Sequence, residues 1–85
     1  MGQTKTLRRI GEELGLKGRP GIERVASETG LPADTIYNWW YRTTTPHYDS
    51  AVRIKAWLLS EVQRLQDPNK RYELEVAVNG LWRAA

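Results

Sequence analysis

Aliphatic positions recur at helical spacing in four successive stretches of the chain before the pattern changes. Leu7, Ile10 and Leu14 follow Thr4 or Thr6, either of which suits an N-cap, and the pattern stops in Gly15-Leu16-Lys17-Gly18-Arg19-Pro20-Gly21, a basic loop. A second helix of about two turns opens at Pro20 or Gly21 and places Ile22, Val25 and Ala26 on one face. It ends at Gly30, as a left-handed terminus requires. Leu31-Pro32 restarts the chain, and a third helix runs to about Arg42 with Asp34 near the positive end of its dipole. Thr43-Thr44-Thr45-Pro46-His47 reads as a loop, since β-branched residues before a proline disfavour helix. Asp49 or Ser50 then caps a longer helix that buries Ala51, Ile54, Leu58, Val62 and Leu65, with Trp57 at the border of that stripe.

After Asp67-Pro68-Asn69-Lys70 the period changes. Tyr72, Leu74, Val76 and Val78 alternate with Arg71, Glu73, Glu75 and Ala77, which favours a strand. The alternative is a fifth helix, started by Asp67-Pro68 and closed by Asn79-Gly80. On a helical wheel, however, Tyr72 and Val76 oppose Leu74 and Val78, so such a helix has no single apolar face. A lone strand cannot satisfy its own backbone, so residues 71–78 are expected to pair antiparallel with those of a second copy. The expected fold is mainly α: a compact four-helix domain over residues 1–66 and a C-terminal dimerisation tail over residues 67–85, with Tyr72, Leu74, Val76 and Val78 at the dimer contact.

Composition narrows the function classes. A chain of 85 residues makes one modest core, and the absence of cysteine excludes disulfides and thiolate metal sites, which fits a reducing cytoplasm. The longest apolar run, Ala56 to Leu59, falls far short of the roughly 18 residues that span a bilayer, so no membrane partner is expected. The net charge of +3 lies wholly in residues 1–24, where six Lys and Arg oppose three Glu. That asymmetry points to a polyanion, although a solvated basic helix accounts for it equally well. With His47 as the only histidine, and with no thiol, phosphate loop or paired-carboxylate pattern, neither catalysis nor a cofactor, metal or small-molecule ligand is expected.

The informative stretch is "RVASETGLPADTIYNWWYR". Ala26 supplies a small residue where two helices cross, Gly30 supplies a turn that tolerates positive φ, and Leu31 follows it. These residues resemble the helix-turn-helix family of DNA-binding domains, in particular small phage repressors of the Cro and CII kind, over residues 20–42. The resemblance implies a transcriptional regulator, a double-stranded DNA partner and a homodimer on an inverted-repeat operator. Two other classes fit the same pattern: a protein-binding inhibitor or adaptor built on this scaffold, and an excisionase-like protein that bends DNA.

On the third helix, with Ile36 inward, Ala33, Trp39 and Trp40 fall on the same side, whereas Asp34, Tyr37, Asn38, Tyr41 and Arg42 point away. Trp39 is expected in the core and Trp40 at its edge. The outward set suits base reading: Asn38 pairs with adenine, Tyr37 and Tyr41 pack on a thymine methyl or donate to phosphate, and Asp34 either accepts from a cytosine amino group or only stabilises its helix end. Phosphate positioning falls to Lys17 and Arg19 on one side and to Arg42, Thr43 and Thr44 on the other, unless these are ordinary solvated surface; Arg8, Arg9 and Arg24 are weaker candidates, since Arg24 is placed to pair with Glu28 one helical turn away.

Overall fold

A computed structural model describes residues 5–42 and 44–82 of the chain, and among these it contains five helices and no strand. Helix α1 (Leu7–Glu13) starts on Thr6, whose hydroxyl accepts the Arg9 backbone N–H at 3.1 Å. Helix α2 (Gly18–Thr29) begins earlier than Pro20 and is a full turn longer than the sequence pattern indicates, because the polar residues of its first turn carry no periodic signal. Gly21 is buried against Leu16, where a Cβ would lie only 2.7 Å from the Leu16 carbonyl carbon. Helix α3 (Ala33–Tyr41) starts after Pro32, and α4 (Tyr48–Val62) starts after His47, two or three residues N-terminal to the predicted cap.

The C-terminal segment is a helix, α5 (Pro68–Asn79), and the expected strand is absent. Asp67 caps it by accepting the N–H groups of Asn69 and Lys70, with Pro68 in the first turn where its missing N–H costs nothing. The alternation is incidental: Leu74 and Val78 are one helical turn apart, fully buried, and continued by buried Leu81, while Tyr72 and Val76 stay 70% and 54% exposed. A helix this narrow on its apolar side is stable because tertiary packing, rather than amphipathicity, holds it. The antiparallel strand pairing predicted for residues 71–78 therefore has no strand to use, and Leu74 and Val78 are spent inside their own chain.

One core joins all five helices, through Leu7, Ile10, Ile22, Val25, Ile36, Trp40, Ile54, Leu58, Val62, Leu74 and Val78 among others. Helix α2 packs on α3 and α4, α4 packs on α5, and α1 closes the arrangement against α3 and α5. Burying each large aliphatic side chain contributes roughly 1.5–3 kcal/mol. The expected order of the two tryptophans is reversed: Trp40 is 4% exposed, while Trp39 is half-buried and meets Trp82 edge-on at 6.3 Å between ring centroids. The reason lies on another helix. Gly11 of α1 leaves the room that the Trp40 ring fills, and a Cβ there would overlap that ring.

Two sets of ion pairs tie the helices together. Between α1 and α5, Glu13 receives Lys5 at 2.7 Å, Arg9 at 3.1 Å and Lys70, and Lys5 also reaches Glu73 at 2.7 Å. Hydrogen bonds from Lys5 and Lys70 hold the Glu13 carboxyl at about 2, far below its ordinary 4.5. Between α2 and α4, Arg24 bridges Glu28 and Glu61, and the Trp57 indole donates to Glu28 at 2.9 Å, lowering the Glu28 pKa together with Arg24.

Candidate functional site

The turn between α2 and α3 fixes how α3 is presented. Gly30 takes φ 77°, and its N–H donates to the Ala26 carbonyl at 2.9 Å. Thr29, the one buried polar residue among those described, donates to the Val25 carbonyl at 2.7 Å and accepts the Leu31 N–H at 3.3 Å. Its hydroxyl thus satisfies groups on both sides of the turn, a role that nothing in the local sequence pattern marks. Ala26 and Leu31 are half-buried against the core, and Ile36 and Trp40 pin the inner face of α3.

With that face held, Asp34, Tyr37, Asn38, Tyr41 and Arg42 are all exposed, Tyr37 and Tyr41 at 43% and 42%. Asp34, Tyr37 and Asn38 line an open cleft of about 400 Å³ together with Ala33 of α3 and Arg19, Ile22 and Glu23 of α2. The structure thereby brings Arg19 to the N-terminal half of the α3 face. Tyr41 lies one turn further along and joins the set through Tyr37, the two rings tilted at 51° with centroids 4.8 Å apart. Lys17 is exposed just ahead of α2, whose first turn no side chain caps, but it is not among the residues lining the cleft. Arg42 and Thr44 are exposed beyond the end of α3, linked by a backbone hydrogen bond of 2.8 Å, and Thr43 lies outside the described residues.

One residue of this region escapes sequence reasoning, and a second is only a weaker phosphate candidate there. Glu23 enters the cleft one helical turn after Arg19, a spacing visible in the sequence once α2 is known to start at Gly18. Arg8 of α1 places its guanidinium over the Tyr41 ring, 5.1 Å from the centroid, and only the fold brings those two positions together. The chemistry of the face is mixed. Arg19 and Arg42 are cationic and Glu23 and Asp34 anionic, and none of the four has an ion-pair partner among the described residues. Asn38 offers paired donor and acceptor, and the tyrosines offer flat apolar rings with a polar tip.

Comparison of the chain with family models, with curated proteins and with solved structures returns no match. The functional reading therefore rests on the residues themselves. Among the described residues, no helix is long and apolar enough to cross a membrane.

Proposed function

We propose that the protein is a sequence-specific DNA-binding regulator, a repressor of the kind carried by phages or mobile elements, that lays the outward face of α3 in the major groove. The observation that supports this most is the division of α3: Ile36 and Trp40 anchor one side while Asp34, Tyr37, Asn38 and Tyr41 stand exposed on the other. At a rise of about 1.5 Å per residue, a helix of this length presents about two turns to a groove about 12 Å wide. In this reading Asn38 reads adenine, the tyrosines pack on thymine methyls, and Lys17, Arg19, Arg42 and Thr44 meet phosphates. Glu23 and Asp34 would be repelled by phosphate, so their place is over base edges that donate, such as the cytosine amino group.

A homodimer on an inverted repeat remains part of the proposal, with half-sites about 34 Å apart. Because Leu74 and Val78 are interior, its contact would have to use the exposed Tyr72 and Val76 of α5. Selection of bound sequences from a random duplex pool tests the whole reading. Enrichment of one motif is expected, and recovery of unselected sequence overturns sequence-specific recognition. A second reading, a protein-binding adaptor, is favoured by the adjoining Tyr37 and Tyr41 rings, a pairing suited to an interface anchor. That reading requires no duplex binding at all.

A further inference from the structure

We infer that Arg8, on α1, is a phosphate contact of the same interface, carried to the end of α3 by its stack on Tyr41. This rests on duplex binding through α3 and adds an element that the α2–α3 pair does not contain. The Arg8 side chain is 53% exposed, its guanidinium carbon lies 5.1 Å from the Tyr41 ring centroid, and only its Nε is engaged, donating to Glu12 at 3.0 Å. The two terminal nitrogens of the guanidinium have no hydrogen-bond partner among the described residues. A planar fork held against a ring has lost much of its rotamer freedom before any ligand arrives, which lowers the cost of using it.

Position decides what the fork would meet. Tyr41 is the last residue of α3, so a group stacked on it from α1 flanks the groove-facing surface rather than extending it. With α3 in a major groove, the rim carries phosphate oxygens, which a guanidinium binds through two parallel hydrogen bonds. Arg19 of α2 stands beside Asp34 and Asn38 at the other half of the helix, so cations from α1 and α2 bracket the reading face. The adjacent Arg9 has a different task, since it turns to Glu13 in the seam with α5. The exposed pair with Glu12 is the opposing effect. Such a pair is weak and gives way when a phosphate offers two bonds in place of one.

The experiment is the salt dependence of duplex binding, read on the selected duplex and on a scrambled one for the parent, Arg8→Gln, Arg8→Lys and Arg64→Gln. Arg64 supplies a charge-matched control in the turn after α4, where it pairs with Glu61. Arg8→Gln is expected to weaken both duplexes alike by about tenfold at low salt and to reduce the salt slope by about 0.9, one phosphate's worth of counterions. Arg8→Lys should keep the slope, and Arg64→Gln should keep both slope and affinity. All four proteins should melt at the same temperature, which separates a ligand contact from a packing role. An unchanged slope in Arg8→Gln, or a loss matched by Arg64→Gln, overturns the assignment of Arg8 alone. A parent protein that binds no duplex between about 50 and 200 mM salt overturns the DNA-binding reading and this inference with it.

Discussion

The seam between α1 and α5 and the outward side of α3 are both polar surfaces, yet they treat charge in opposite ways. In the seam every ionised group is engaged: Glu13 holds Lys5, Arg9 and Lys70, and Glu73 completes the chain through Lys5. On the α3 side Arg19, Glu23, Asp34 and Arg42 are left without ion-pair partners among the described residues, although Arg19, Glu23 and Asp34 share one cleft. Charges that fix a fold consume each other's valence. Charges left open around a rigid helix are free to act on something else; exposed Asp49 and Arg53 on α4 are also unpaired among the described residues, so it is their convergence on one cleft beside α3 that marks Arg19, Glu23 and Asp34.

The comparison breaks most severely if the rigid side of α3 is removed. Trp40→Ala deletes an almost fully buried indole that is seated against Gly11 and is expected to cost on the order of 3–5 kcal/mol, a large share of the stability of so small a domain. Thermal melting checks it. A variant as stable as the parent would mean that α3 is not anchored through this ring.

Next in size is the seam. Glu13→Gln keeps the shape but leaves Lys5 and Lys70 without their shared anion, for a loss of about 1–3 kcal/mol at neutral pH. The pH dependence has a definite sign. The folded pKa of Glu13, about 2, lies below its ordinary 4.5, so its stabilisation is present in full above that value and is lost as pH falls toward 2. Melting curves of parent and Glu13→Gln should therefore converge across that acid window. Parallel curves would show that the carboxylate contributes little.

On the open side the expected effects move from stability to binding. Tyr37→Ala and Asn38→Ala should each change stability by no more than about 0.5 kcal/mol and weaken the selected duplex by roughly 1–3 kcal/mol. Melting and titration measured together test this, and a variant that loses stability instead places its residue on the structural side of the comparison. The smallest change is expected at Tyr72. Tyr72→Ala should leave melting within about 0.5 kcal/mol of the parent, and sedimentation of the same variant reports whether the exposed face of α5 joins two copies.

Much of this division can be read in the sequence, and the parts that cannot share one physical cause. The glycine at position 30, the outward set on α3 and the centre of the α4 stripe, Ile54, Leu58 and Val62, follow from local conformational preference and helical period and are found where those rules place them, whereas Ala51 and Leu65 are only half-buried and Leu65 lies past the end of α4. What local rules miss depends on a neighbour far along the chain. Which of two adjacent tryptophans is buried was decided by Gly11 on another helix. The character of residues 68–79 was decided by the need of α1 and α4 for a fifth helix to cover them, which Leu74, Val78 and Leu81 meet despite the alternating pattern. Arg8, a weaker phosphate candidate from the sequence alone, lies over Tyr41 for the same reason: the fold brings α1 across the end of α3.

The central claim is that the open side of α3 reads duplex DNA, and its most direct measurement is the affinity of parent and Asn38→Ala for the selected duplex and its scrambled control, titrated over salt. The account predicts that both proteins bind with the same salt slope and that Asn38→Ala loses most of the parent's preference for the selected sequence, because phosphate contacts survive while a base contact is gone. Equal discrimination by the two proteins would contradict it, as would a parent whose binding is insensitive to salt.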